Sequence, residues 1–192
     1  MTQIRRVVTG HDKSGKAVVL SDGAVPTVHS NPIRPGQLSF EVWKTVSMPV
    51  PIATAEPEPT AGPRSLQPPP KGSVLRISVV PPETEETRAL TPEQARELFR
   101  KSSAGDASTY GRGGRHPMVH RTETVDYAVV LDGAITLILD EEEVDLKAGD
   151  VVIQRGTSHA WSNRSGRPVK MLYVLMDGDF TPDLDGKFWT GK

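Results

Sequence analysis

Along most of the chain, apolar residues recur two apart, not three or four apart. That period belongs to β-strands with one buried face. The runs IRRVVTG and KAVVLSDG flank the polar turn segment HDKSG and predict a hairpin over residues 4–22. After the breaker NPIRPG, the run LSFEVWKTVSMPV alternates Leu38, Phe40 and Val42 with Ser39, Glu41 and Trp43, the signature of a half-buried strand. SVLRISVVPP predicts another strand, with Leu75, Ile77 and Val79 on one face. Between these two runs, residues 51–72 are Pro-rich and lack aromatics, so an extended loop is expected there.

One segment carries the helical period. In TPEQARELFRKSSAG, Thr91 is the N-cap, Pro92 takes the first helical position and Gln94 completes a capping box. Ala95, Leu98 and Phe99 form its apolar stripe, and Gly105 closes a helix of about residues 91–104. From His116 onward, short strand-like runs alternate with tight turns, and Asp132-Gly133 and Ser165-Gly166 are hairpin signals. Strands so closely spaced predict an all-β antiparallel sandwich or barrel. The expected division is an N-terminal β arm at 1–50, the Pro-rich loop at 51–72, a barrel at 73–178 and a tail at 179–192. Val129, Leu131, Ile135, Leu137, Val152, Leu172 and Val174 are the expected barrel core, with Phe180, Phe188 and Trp189 as anchors for the tail.

Composition narrows the function. A length of 192 residues suits one compact domain with decorations, and 17 Gly and 17 Pro favour turns over long helices. A net charge of -1 gives no reason to expect nucleic acid or an anionic membrane as partner. The absence of cysteine excludes disulfides, thiolate metal sites and cysteine nucleophiles. No apolar stretch has the length of a membrane span and the first residues lack a secretory pattern, so a cytoplasmic protein is expected. No phosphate-binding loop or nucleophile elbow is present, and no organic cofactor is expected.

Two stretches carry the chemistry. HRTETVDYAVVLDG places His120, Thr122, Asp126 and Gly133 at defined spacing; GDVVIQRGTSHAWSN places Gly149, Gly156, His159 and Asn163. Together they resemble the two sequence motifs of the cupin superfamily (RmlC-like), and the resemblance implies a cupin β-barrel with its site inside. Fully equipped cupins hold a divalent metal through three His and one Glu; here Thr122 stands for the second His and Asp126 for the Glu. The resemblance therefore implies a reduced set of His120, Asp126 and His159, which suits Fe(II), with Mn, Ni and Zn as competitors. These three are also the expected catalytic residues.

Thr122, Tyr127, Gln154, Trp161 and Tyr173 are expected pocket walls. Arg112, Arg115 and Arg121 could hold a substrate carboxylate at the mouth, although a solvated loop is their simpler reading. His11, His29 and His116 read as solvated loop residues. The expected function is a metal-assisted enzyme acting on a small carboxylated, hydroxylated or aromatic metabolite. Without metal, a His-Asp acid–base pair remains possible. Two other readings stand beside it: a small-ligand sensor, favoured by Thr122, and a purely structural barrel. Phe40 and Trp43 on an exposed arm suggest a homodimer.

Overall fold

The computed structural model describes residues 3–31, 34–101, 107–185 and 187–188. Its strands are β1 (Arg5–His11), β2 (Ala17–Ala24), β3 (Thr27–Ser30), β4 (Leu38–Thr45), β5 (Ser73–Val80), β6 (Thr124–Asp132), β7 (Ala134–Ile138), β8 (Glu143–Lys147), β9 (Val151–Arg155), β10 (Ala160–Ser162) and β11 (Val169–Asp177). Helix α2 (Pro92–Lys101) lies between β5 and β6, preceded by the single turn α1 (Glu85–Arg88); a last turn, α3 (Pro182–Asp185), follows β11. The protein is thus all-β and antiparallel, as the alternation predicted.

β1 and β2 pair as a ribbon of their own. The larger sheet runs β3-β4-β5-β11-β6-β9 and the smaller β10-β7-β8. From β6 onward the chain passes repeatedly between these two sheets. Their facing sides enclose one core of Val80, Ala128, Val130, Ile135, Val169 and Met171, with Leu146, Val152, Trp161 and Tyr173 packed against it. Gly133 makes the first crossing possible: its φ is 91° and a Cβ there would lie 2.9 Å from Val169, so neither the backbone nor the space admits a side chain.

The parity of the core differs from expectation. Inward positions on β6 are Thr124, Asp126, Ala128 and Val130, whereas Leu131 is exposed and Val129 half-buried. On β11 the fully buried residues include Val169 and Met171, and Leu172 and Val174 fall on the other face, opposite Ile77 and Leu75. A one-residue shift of parity exchanges the two faces of a strand, so four of the expected core residues lie on the outer side. That side is not bare. Val25, Phe40 and Val79 form a second buried cluster there with Ile4, Leu38, Val42 and Ile77. Both faces of β4 and β5 are therefore covered, and β4 is a strand of the main sheet.

The basis for the expected dimer also changes. Phe40 is buried, and Trp43 is half-buried beneath the Arg6 guanidinium. The exposed apolar side chains of the N-terminal strands are instead Val7 on β1, Val18, Val19 and Leu20 on β2, and Val28 on β3.

α2 begins as predicted. The Thr91 hydroxyl accepts from the Gln94 amide at 3.3 Å, and the Thr91 amide donates to the Gln94 side chain at 2.8 Å. Ala95 and Phe99 are its buried residues, and burying Phe99 stabilises the docked helix by about 2 kcal/mol. The expected helix end at 102–104 and Gly105 lie outside the described residues, as does Trp189. Phe180 closes over Gly156 (φ 60°), where a Cβ would come within 2.5 Å of its ring, and it stacks with Phe188. The tail is thereby fastened to the barrel.

Candidate functional site

Between the sheets and α2 lies a cavity of about 590 Å³. His120, Asp126 and His159 all line it, as do Trp161 and Tyr173. The two histidines are brought together by the backbone. His120 and His159 form an isolated antiparallel bridge, each amide donating to the other's carbonyl at 2.9 Å. Residues opposed in this way project side chains from the same face, and the two rings lie with centroids 4.5 Å apart.

Both imidazoles are fixed in the same manner. His120 Nδ1 lies 3.0 Å from the Met118 carbonyl oxygen, and His159 Nδ1 lies 3.0 Å from that of Thr157. A carbonyl only accepts, so each Nδ1 carries the proton and each Nε2 of the neutral ring is an acceptor. Burial disfavours the charged form of both rings. It lowers the pKa of His120, and it brings that of His159 down to about 3 with help from its neighbour His120.

Asp126 comes from the inner face of β6, between Leu175 of β11 and Gln154 of β9. It is 5% exposed, and its Oδ1 has no hydrogen-bond partner. Desolvation raises its pKa to about 6, opposed by a hydrogen bond from Thr124 and the charge of Arg76. Thr124 in turn bonds Thr122 at 2.8 Å between hydroxyls. Thr122 is therefore buried beside the site and supports Asp126 through Thr124; it does not line the cavity.

The three predicted residues share a cavity but do not converge. Among the described residues, no three His, Asp or Glu side chains group as metal ligands. Neutral imidazoles are ligands of the right kind for a divalent cation, but the Asp126 carboxylate does not group with them. The two-His, one-carboxylate set read from the motifs does not fit as a three-ligand centre.

Among the pocket residues, Trp161 and Tyr173 continue an aromatic row. Phe99, His120, His159, Trp161 and Tyr173 follow one another with centroid separations of 5.3, 4.5, 5.9 and 5.7 Å. Desolvation pushes the Tyr173 phenol well above its ordinary pKa. Gln154 is buried on the inner face, where its side chain donates to the Thr157 carbonyl at 3.3 Å, and it is not a cavity wall. Tyr127 corrects the prediction outright: it is 44% exposed. Asp126 faces inward, and its neighbour on a regular strand must face outward.

Several further residues depart from expectation. His116 is buried, not solvated, and bonds Glu83. Burial alone would raise the Glu83 pKa, but hydrogen bonds from His116, Arg88 and Ser162 bring it to about 2. The motif asparagine is structural: Asn163 donates to the carbonyls of Val80 and Arg167, both at 2.8 Å. Arg121 lies over the Phe188 ring at 3.6 Å, and Arg115 reaches the Leu139 carbonyl. Neither lines the cavity, nor does Arg112; the arginines that do are Arg34, Arg64 and Arg76. They and Phe99 were missed as site residues. The helical stripe could have indicated Phe99.

Residues 108–175 match the family described as Cupin domain. The chain is 32% identical over 193 aligned residues to phomopsin biosynthesis cluster protein C' of Diaporthe leptostromiformis, covering 97% of this chain and 84% of that protein. Over a shorter stretch it is 46% identical to oryzines biosynthesis cluster protein J of Aspergillus oryzae, 33% of this chain and 37% of the other. It is 37% identical to a cupin-domain-containing oxidoreductase of Neurospora crassa, 41% of each chain. Among solved structures, a putative ethanolamine utilization protein from Salmonella typhimurium covers 93% of this chain and 100% of its own, at 11% identity and a TM-score of 0.42. The chain belongs to the cupin superfamily.

Proposed function

We propose that this cupin is an enzyme of secondary metabolism that moves a proton on a small, largely apolar substrate enclosed in the cavity. The observation that carries the reading is the Asp126 carboxylate, 5% exposed and with an Oδ1 that has no partner, lining the same cavity as two tautomer-locked imidazoles. A group whose pKa lies near the working pH both takes and gives protons readily, and Asp126 sits at about 6. His120 and His159 are poor bases in this setting. Their Nε2 atoms serve as acceptors that orient a hydroxyl or N–H of the substrate. The roles are thus the reverse of an imidazole base steered by a carboxylate.

In the step itself, Asp126 Oδ1 takes a proton from a carbon next to a carbonyl. The C–H bond breaks, an O–H bond forms, and the electron pair moves to the carbonyl oxygen; return of the proton to a different atom completes an isomerisation. The metabolic setting is supported by the relatives, two of which belong to biosynthesis clusters. A pure binding module is the competing reading, favoured by the lack of a three-ligand metal group among the described residues.

Solvent-deuterium incorporation separates the two. A panel of small keto acids and aryl ketones is incubated with protein in D2O and followed by proton NMR. The wild type is expected to exchange at least one member, and Asp126→Asn to slow that exchange by about 100-fold or more. A wild type that exchanges no faster than Asp126→Asn contradicts the reading.

A further inference from the structure

Three arginines, Arg34, Arg64 and Arg76, line the cavity, and the proton-transfer groups do not explain them. Arg76 is accounted for by the sheet: its Nε and Nη2 grip Glu41 at 2.8 and 3.2 Å, and Nη2 also donates to the Ser65 carbonyl at 2.6 Å. Arg34 is different. Its Nε and Nη2 are both buried, and neither has a hydrogen-bond partner among the described residues.

Those two nitrogens are one edge of the guanidinium, and their N–H bonds run parallel. The same edge meets a carboxylate elsewhere in this chain, in Arg76 with Glu41 and in Arg5 with Asp22, the latter at 2.7 Å for each bond. Spacing and planarity match the two oxygens of a carboxylate. The acid whose charge Arg34 feels is Glu83, and its oxygens already accept from His116, Arg88 and Ser162. Burying a charged donor with no acceptor costs several kcal/mol, and burial lowers the Arg34 pKa accordingly.

The backbone presents Arg34 deliberately. It sits in the turn between β3 and β4, where the Arg34 amide donates to Asn31, its carbonyl accepts from Gln37, and the Asn31 amide donates to Gln37. The Asn31 side chain bonds that of Gln37 at 3.1 Å across the same turn. Tyr173 feels the charges of both Arg34 and Asp126, so the cationic edge and the reactive carboxylate lie within electrostatic reach of one phenol.

We propose that Arg34 is a substrate-binding residue and that the cavity takes a small carboxylic acid with an apolar body. The substrate carboxylate lies along the Nε/Nη2 edge, and the body lies against Phe99, Trp161 and Tyr173. This rests on the cavity being the reaction site and adds the substrate class. Arg34 precedes the segment 108–175 that matches the cupin domain, so the N-terminal part of the chain supplies the selectivity and the barrel supplies the chemistry.

The test is calorimetric titration with 3-phenylpropanoate and its neutral amide, 3-phenylpropanamide. The wild type is expected to bind the acid about tenfold more tightly than the amide or better, a difference of about 1.4 kcal/mol. Arg34→Gln is expected to remove that preference while leaving amide affinity unchanged, which also reports that the cavity is intact. Arg34→Lys, which keeps the charge but loses the fork, is expected to keep part of it. Equal affinity for acid and amide in the wild type overturns the proposal, as does a preference that survives in Arg34→Gln or a failure of both probes to bind. The same preference in Asp126→Asn shows that recognition stands apart from proton transfer, so failure of the deuterium experiment leaves this result readable on its own.

Discussion

Two buried carboxylates lie on the inner face of the same sheet, and they are treated in opposite ways. Glu41 on β4 is fully buried, directly across from Arg76 on β5, held by two guanidinium bonds and the Ser39 hydroxyl. Asp126 on β6 is nearly as buried, yet one oxygen has no partner and its pKa rises to about 6. Burial alone therefore does not mark a reactive acid. A matched cation makes a buried carboxylate structural, and the lack of one leaves it poised for proton exchange.

The contrast is broken most severely at Glu41. Glu41→Ala leaves Arg76 buried without its counter-charge, and loss of one partner of such a pair costs about 3–5 kcal/mol. Chemical denaturation of the variant should show a loss of that order; a loss under 1 kcal/mol would mean that the pair is not the structural half of the comparison.

Asp126 should respond with the opposite sign. Its folded pKa of about 6 lies above the ordinary 3.8, so the folded state holds its proton more tightly than the unfolded chain. Its penalty is absent at pH 3.8 and below, grows as pH rises, and is complete above pH 6. Asp126→Asn removes the charge, so it should stabilise the fold by about 3 kcal/mol at pH 7.5 and by little at pH 4. Melting curves at the two pH values check this, and a destabilised variant at pH 7.5 would assign Asp126 to the structural class.

How much of this was legible beforehand depended on which physical rule placed each residue. The alternation from Thr124 to Asp132 and the glycine at 133 carry the barrel, because a strand period and a positive φ are local properties. The meeting of His120 and His159 was legible as motif spacing, although the bridge that makes it is not. Tyr127 was readable and was misread: parity forbids it and Asp126 from sharing a face. The same parity places Leu131 outside and Val130 in the core. The Glu41–Arg76 pair needed the register of β4 on β5, which alternation alone does not set. Arg34 was out of reach, since a turn between strands has no period from which to read where its side chain points.

The central claim is a carboxylate poised near neutrality beside two imidazoles that stay neutral and present Nε2. Heteronuclear NMR titration of labelled protein reads both halves at once, through the Asp126 carboxyl carbon and the ring nitrogens of His120 and His159. The account predicts that Asp126 titrates near pH 6, that the His159 ring remains in the Nδ1–H form with no titration down to pH 5, and that the His120 ring charges only below the ordinary imidazole range. An Asp126 midpoint near 4, or rings that charge near pH 6.5, would contradict it.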